Sequence, residues 1–527
     1  MEQGNKNNTY NTIFHFHSFK LKLMLEGILV GVLSGLLIVF YRVTLEKAEE
    51  LRIELSSLQL KNYWLIPLWF LFLLIGAYIV GILITKEPMI CGSGIPQVEA
   101  VLLKKLKMNW LPVIIKKFIG GVISIGAGLS LGREGPSIQL GAAVGQGFSR
   151  VFKRIKIEEK YLITSGASAG LAAAFNAPLA GVMFSLEEVH KNFSPLVLLS
   201  AMSASLSADF VSKYFFGLKP VFNFQHISPL PLGSYGYIII LGVIVGVLGV
   251  IYNSVLLKTQ NLYDKIAFLP VKFRPMLPFL IAGILGLILP EVLGGGHQII
   301  DSLINGSFTI RMLLIILFAK FAFSMISYGS GAPGGIFFPL LVLGALTGAI
   351  YGNILVHLFN FNPNFINNFI ILAMAGYFTA IVRAPITGSI LITEMTGSFS
   401  HLLSLTVISL VAYTIAGMLN SEPIYESLLY RLLKNNGKYE FVGDSKNKII
   451  LEVPIILDSE MDNKMIKDLK LPSECLLVGV KRGEKEIIPK GNTVLYSGDY
   501  LLVLVNENKA AATHDLLLKM SSNPKIL

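Results

Sequence analysis

Long stretches without a charged residue are the feature that most limits how this chain can fold. Four of them are Leu65–Thr85, Tyr235–Leu257, Met276–Pro290 and Leu402–Leu419. A helix needs about 20 apolar residues to cross a bilayer. Several stretches approach that length, and others are shorter or interrupted by glycine and proline. Since only 15% of the 527 residues are charged, the sequence predicts a polytopic, all-α membrane domain.

The positive charges lie in clusters beside the apolar stretches, and the net charge is +11. Lysine and arginine mark cytoplasmic flanks, so both termini are expected in the cytoplasm, including a polar N-terminal segment at 1–19. Because the clusters do not form one face, no nucleic-acid partner is expected. Two cysteines and unclustered histidines predict neither disulfides nor a metal site, and we expect no cofactor. The sequence shows no nucleophile, base and oxyanion-hole donors in one place, so we do not expect an enzyme.

Two sequence patterns recur at nearly the same spacing. Gly31–Leu37 resembles Gly242–Leu248 (242 − 31 = 211), and Ala177–Gly181 with Glu187 resembles Ala384–Gly388 with Glu394 (384 − 177 = 207). This predicts a duplicated domain at 20–433, with halves at about 20–220 and 230–433. In duplicated transporters the substrate lies between interrupted helices of the two halves.

Three glycine- and proline-interrupted segments mark that position: Gly92–Pro96, Gly132–Pro136 and Gly331–Pro339. A helix that begins inside the membrane directs free amides and a partial positive charge at an anion. Glu134 lies in the second segment, and an ionisable residue at membrane depth indicates function. The alternative is a loop salt bridge between Arg133 and Glu134 at the membrane surface.

Three further features each permit two interpretations. Glu187 and Glu188 close an apolar run, either as a solvated cap or as proton-handling acids. The amides of Ile336 and Phe337 either face an anion or belong to a tight turn. Tyr425 is either an interfacial aromatic or an inward hydrogen-bond donor.

Together these segments resemble the CLC family of chloride channels and chloride/proton antiporters. The resemblance rests on the ordered motifs GSGIP (Gly92–Pro96), GREGP (Gly132–Pro136), GGIFFP (Gly334–Pro339) and the late Tyr425. It implies an antiparallel inverted repeat and a homodimer with one pore per subunit. It also implies roles for individual residues: chloride donors Ser93, Ile336, Phe337 and Tyr425; a gating acid Glu134; an inner proton acid Glu188 beside Glu187; supporting residues Gly132, Arg133 and Gly135; and a buried Glu99–Lys117 pair.

The last part of the chain changes character after a polar linker at 434–448. Residues 449–527 predict a small α/β domain with strands at 449–456, 474–481, 487–490 and 500–505 and helices at 463–469 and 507–520. Leu469–Pro472, Val478–Arg482, Ile488-Pro489 and Tyr496–Asp499 make it similar to the TrkA-C (RCK-C) domain of potassium-transport regulators. That similarity implies pairing and a small ligand, such as a cyclic dinucleotide, in a pocket of Leu476, Leu477, Arg482, Ile487 and Ile488. A dimerising domain without ligand is the alternative.

The resemblance predicts a chloride/proton antiporter in a prokaryotic plasma (inner) membrane, with chloride, protons, lipid and a second subunit as partners. A passive chloride channel with the same pore is the first alternative. A potassium-transport component is the distant one, because the chain lacks the Thr-Val-Gly-Tyr-Gly filter sequence.

Overall fold

The computed structural model describes residues 3–521 with gaps at 192–193, 219, 223, 225–226, 267–269, 305, 307, 436–447, 474, 484 and 507–509; side chains are described from Lys20 onward. The chain forms two units, Met1–Lys438 and Tyr439–Leu527.

Helices make up most of the described part of the first unit. Nine of its described segments are long and apolar enough to cross a membrane, and all four charge-free stretches overlap one of them. In chain order the helices are α1 (Gln3–Lys61), α2 (Leu65–Lys86), α3 (Ile95–Leu102), α4 (Trp110–Gly126), α5 (Glu134–Val151), α6 (Lys156–Phe175), α7 (Pro178–Phe184), α8 (Pro195–Phe216), α9 (Tyr235–Lys265), α10 (Met276–Ile288), α11 (His297–Ile304), α12 (Ile310–Gly329), α13 (Phe337–Phe359), α14 (Ile366–Val382), α15 (Pro385–Thr396), α16 (Leu402–Met418) and α17 (Ile424–Asn435).

The predicted duplication is visible in the helix order, since α1–α8 correspond one to one with α9–α16. Equivalent helices end and begin in the same way. Asn176 ends α6 and Arg383 ends α14, both in the left-handed conformation, with φ of 52° and 70°. Pro178 and Pro385 then start α7 and α15, as expected of a residue that fixes helical φ and lacks an N–H. The same local sequence therefore produces the same helix break twice.

Close helix packing in each half depends on glycine. A Cβ at Gly141 of α5 would overlap the carbonyl of Gly166 on α6, and a Cβ at Gly166 would overlap the carbonyl of Gly141. In the second half, Gly348 of α13 meets the Phe369 carbonyl of α14 in the same way. In lipid no hydrophobic driving force holds helices together, so the close van der Waals packing that small residues allow stabilises these contacts instead.

Two predicted boundaries shift. The backbone is already helical from Gln3, so α1 includes most of the segment expected as a separate polar N-terminus. The predicted linker begins later, because α17 continues to Asn435, and β1 begins at Lys448. The intervening 436–447 lie outside the described residues.

The second unit contains one antiparallel sheet of order β1-β4-β2-β3 and a closing helix. Its elements are β1 (Lys448–Pro454), β2 (Cys475–Arg482), β3 (Lys485–Ile487), β4 (Asp499–Asn506) and α18 (Ala510–Ser521). The core contains Val453, Val480, Leu501, Val503 and Leu517.

Two elements of the second unit were predicted incorrectly. The expected helix at 463–469 is only a short 3-10 turn, Ile466–Asp468. Its neighbouring amides bond across the chain instead, Asn463 N to Leu495 O and Lys467 N to Gly491 O. The third strand is shifted to Lys485–Ile487, where it pairs with the end of β2 through a tight hairpin.

Candidate functional site

The two halves of the first unit meet at an antiparallel bridge between Gly132 and Gly335. Each amide donates to the other residue's carbonyl, both at 2.7 Å. Gly132 lies in the GREGP segment and Gly335 in GGIFFP, so equivalent loops join symmetrically, as an inverted repeat requires. Helices α5 and α13 begin directly after this bridge.

The GSGIP loop joins the same centre. Gly92 N donates to Gly331 O at 3.1 Å, and Gly334 N donates to Gly92 O at 3.0 Å. Ser93 is 1% exposed, and its Oγ accepts only a long 3.4 Å bond from Ile95 N at the start of α3. A Cβ at Gly135 would lie 2.8 Å from the Ser93 Cβ. The structure therefore brings Ser93 against the first turn of α5.

Glu134 is the first residue of α5 and is completely buried. Its carboxylate folds back over Gly132, where a Cβ would overlap Oε2 and would lie 3.1 Å from Phe338 N. Neither carboxylate oxygen has a hydrogen-bond partner within the described part of the chain. Glu134 thus places a negative charge beside the amides that begin α13.

Arg133 has a different partner from the one considered in the salt-bridge alternative. Its Nη1 lies 3.5 Å from Oε1 of Glu46 on α1. The Arg133–Glu134 interpretation is therefore wrong, because the guanidinium turns outward to α1 while the Glu134 side chain turns inward over Gly132.

Ile336 and Phe337, both almost completely buried, form the N-terminus of α13. The Phe337 ring lies 5.8 Å from that of Phe184, which in turn meets the Tyr425 ring edge-on at 6.1 Å. Tyr425 is 0% exposed, and its hydroxyl has no partner among the described residues. Tyr425 is therefore an inward residue rather than an interfacial aromatic.

Glu188 lies in a π-helical turn, Ser185–Val189, that follows α7. It is 5% exposed, and its Oε2 lacks a hydrogen-bond partner in the described structure. It lines a cavity of about 700 Å³ together with other charged residues, among them Glu187, Lys191, Glu422 and Glu426. The acid is therefore buried but lies next to a polar vestibule.

Glu187 has a structural contact that explains one of the repeats. Its carboxylate accepts hydrogen bonds from Thr387 N at 2.9 Å and Thr387 Oγ1 at 2.7 Å, at the start of α15. Glu394, its counterpart in the second half, accepts from Leu179 N and Ala180 N at 3.1 and 2.8 Å, at the start of α7. Each half therefore caps a helix of the other. Glu187 was predicted to accompany Glu188 in proton handling, and its carboxylate is instead engaged in this cap.

The predicted Glu99–Lys117 pair is wrong. Lys117 Nζ donates to the carbonyls of Ile90 and Gly92 at 2.9 and 2.7 Å, while Glu99 pairs with Lys191 at 2.8 Å. The GSGIP loop turns its carbonyls toward Lys117, and these take the place of a carboxylate. Lys117 thereby holds the loop that carries Ser93.

Several residues at the site were missed in the sequence. Lys320 repeats Lys117 in the second half, with bonds to Val292 O and Gly294 O at 2.9 and 2.6 Å. The spacing 320 − 117 = 203 was available as a signal, since it lies close to the other repeat spacing. Tyr328, whose hydroxyl would lie 3.2 Å from a Cβ at Gly92, and Lys191 had no signal, because neither belongs to a repeat or an interrupted segment.

The residues predicted to form a ligand pocket in the second unit do not lie together. Leu476 is 62% exposed and Ile488 83%, whereas Leu477 and Ile487 pack against the core. Neighbouring residues of a strand point to opposite faces of the sheet, so Leu476 and Leu477 cannot line one pocket.

Arg482 is also engaged. Its Nε and Nη2 donate to the two carboxylate oxygens of Asp499 at 2.8 and 2.6 Å. Burial opposes the charge of Asp499, but the bonds from Arg482 and from Tyr496 N outweigh burial and lower the pKa of Asp499. The pair closes the end of the β2–β4 ladder.

Comparison with known proteins adds independent findings. A sequence profile of the family described as "Voltage gated chloride channel" matches residues 76–417, and a TrkA-C domain profile matches residues 450–518. The H(+)/Cl(-) exchange transporter ClcA of Vibrio cholerae is 36% identical over 423 residues, covering 78% of this chain and 89% of that protein. ClcA of Salmonella paratyphi B is 34% identical over 421 residues, covering 78% and 89%.

A solved structure with the same fold is the crystal structure of a slow cyanobacterial Cl-/H+ antiporter. It superimposes with a TM-score of 0.75 and 32% sequence identity, covering 79% of this chain and 99% of that one. The fold class and both resemblances stated from the sequence are thereby confirmed.

Proposed function

The chain belongs to the voltage gated chloride channel family, and on that premise we propose that it is a chloride/proton antiporter of a prokaryotic plasma (inner) membrane. The observation that carries the proposal is the buried Glu134 carboxylate at the meeting point of α5 and α13. A carboxylate and a chloride ion compete there for the same partial positive charge of helix N-termini.

The competition supplies the coupling of proton to chloride. The deprotonated Glu134 carboxylate occupies the position over Gly132 as a tethered anion. When a proton binds, the carboxyl loses its charge and leaves, so chloride can take its place. When the proton is released, the carboxylate returns and displaces chloride. Helix-end amides suit this exchange because they bind an anion without the tight hold of a full cation.

The chloride path is assigned to hydrogen-bond donors that the protein leaves free. The Tyr425 hydroxyl lacks a partner within the described residues. Ser93 Oγ accepts only a long 3.4 Å bond, from Ile95 N, and its hydroxyl proton is a further candidate donor to an anion. The first amides of α13, at Ile336 and Phe337, have no intrahelical acceptors. Glu188 then receives protons from the vestibule, and Gly132, Arg133 and Gly135 hold the geometry of the outer acid.

The decisive experiment is Glu134→Gln in liposomes, with proton and chloride fluxes recorded together. Glutamine keeps the size of the side chain but cannot bind and release the proton. We expect chloride flux to continue and coupled proton movement to stop. Glu50→Gln is the matched control, since Glu50 is 63% exposed and pairs with Lys47 on the surface, away from the site. Intact proton coupling in Glu134→Gln would contradict the assigned role.

Glu188→Gln tests the inner acid in the same assay. It should pass chloride without protons, because the relay from the vestibule is interrupted.

A passive chloride channel is the second candidate function. It predicts that the wild-type reversal potential follows the chloride gradient alone when chloride and pH gradients are opposed. The buried acid Glu188 favours the antiporter.

A homodimer with cytoplasmic tails completes the proposal. The sheet of the second unit has an exposed outer face that includes Ile450, Leu476 and Tyr500, exposed by 58%, 62% and 45%. Two tails that pair through this face would remove it from water. Leu476→Asp should then weaken tail pairing, measured by cross-linking of the full-length protein. An unchanged cross-linking yield contradicts this interface.

The match of residues 450–518 to TrkA-C domains supports the tail as a site of regulation by a small nucleotide. A tail that pairs without binding a ligand is the alternative. Titration calorimetry of full-length protein with a cyclic dinucleotide tests this, and binding without a change in transport would separate ligand recognition from regulation. The membrane topology is tested separately. Because the tail is proposed to be cytoplasmic, Cys475 should react with a membrane-impermeant maleimide only after the cells are opened.

A further inference from the structure

Lys191 lies three residues after the inner acid and connects two helices through its ammonium group. Nζ lies 2.8 Å from Oε1 of Glu99 and 2.5 Å from Oε1 of Glu426. The Glu99 side chain is 4% exposed, the Lys191 side chain 35% and the Glu426 side chain 49%. One half of this bridge is therefore buried, and the other half opens to the vestibule.

The two acids lie on the elements that carry the hydroxyl donors of the chloride path. Glu99 belongs to α3, whose N-terminus follows Ser93. Glu426 directly follows Tyr425 in the first turn of α17. A single ammonium group thus ties the Ser93 element to the Tyr425 element. Neither the repeat nor the transport motifs account for this contact.

We propose that Lys191 is a positioning residue that holds α17 against α3 and so limits how far the element that carries Tyr425 can move from the element that carries Ser93. This inference rests on the proposed function. The Glu99 bond anchors Lys191, because a nearly buried carboxylate needs its cation. The Glu426 bond is weak, because an exposed ion pair in a high dielectric contributes little. It can therefore break and re-form while chloride passes to the cytoplasm.

Glu426→Gln removes only the weaker ion pair, Lys191–Glu426, and leaves the Glu99–Lys191 pair intact. Chloride turnover in liposomes should rise roughly two- to fivefold, the change that loss of one exposed ion pair produces in a two-state equilibrium. The number of protons moved per chloride should fall, because the inner opening no longer closes between steps. Both are read from flux and reversal potential of the full-length protein.

Glu422→Gln is the matched control. Glu422 is an exposed acid that lines the same cavity, and its carboxylate accepts a 3.3 Å bond from Ser427 Oγ rather than one from Lys191. Equal changes in both variants would show that vestibule charge alone matters and would overturn the inference. Unchanged turnover and coupling in Glu426→Gln would overturn it as well.

Lys191→Arg and Lys191→Met separate positioning from folding. Arginine should preserve the coupling ratio, while methionine should shift it beyond Glu426→Gln, provided that the protein still elutes as a folded species. The wild-type ratio, measured in the same vesicles, tests the antiporter proposal by itself. If the wild type moves no protons, the proposed function fails, and the chloride turnover of Glu426→Gln still decides whether Lys191 limits the opening.

Discussion

The reciprocal caps between the two halves predict a large stability loss from a small change, Glu394→Gln. The carboxylate accepts from two amides at the start of α7. Glutamine keeps one acceptor but presents an NH₂ group to the other amide, so one charge-assisted hydrogen bond is lost, about 1.5–3 kcal/mol. Loss of negative charge at a helix N-terminus adds about 0.3–1 kcal/mol. The expected total is roughly 2–4 kcal/mol.

Thermal unfolding in detergent, followed by tryptophan fluorescence, measures this loss. Because the entropy of unfolding grows with chain length, a protein of this size should lose about 1 °C per kcal/mol, so Tm should fall by roughly 2–4 °C. Glu187→Gln should lower Tm similarly, because Glu187 makes the equivalent cap at Thr387. Glu50→Gln is the control, since Glu50 pairs with Lys47 on the surface and is 63% exposed. A Tm for Glu394→Gln equal to that of the control would refute the cap as a stabilising contact.

Three further changes test the site and the tail. Gly132→Ala should displace the Glu134 carboxylate, because the new Cβ would overlap Oε2, and reversal potentials should show weaker proton coupling in folded protein. Tyr425→Phe should leave Tm unchanged, since the hydroxyl bonds no described residue, but should weaken chloride binding measured by calorimetry. The depressed pKa of Asp499 gives the tail stability that is present above the ordinary aspartate pKa of about 3.9 and is lost as pH falls through the lower folded value. Arg482→Met should remove that pH dependence, measured by hydrogen exchange of β4.

The sequence determined the parts of this protein that depend on short-range rules. Charge-free stretches predicted the membrane helices, because a helix must be long and apolar to span the hydrocarbon core of a bilayer. The repeated Ala-Pro segments predicted the duplication, since proline and the preceding left-handed residue break a helix in the same way wherever they occur. The tail sheet was recognised from strand patterns, with errors at 463–469 and 487–490 where cross-chain hydrogen bonds decided the local conformation.

Tertiary structure decided the partners of the charges. Lys117 and Glu99 were both expected to be buried, but folding directed Lys117 to the Ile90 and Gly92 carbonyls and Glu99 to Lys191. Residue type sets the charge that must be compensated, while only the packed fold determines which carbonyl or carboxylate lies within reach. Glu134 was identified from the sequence around it. The position of its carboxylate over Gly132, beside α13, exists only because the two distant halves of the chain meet there.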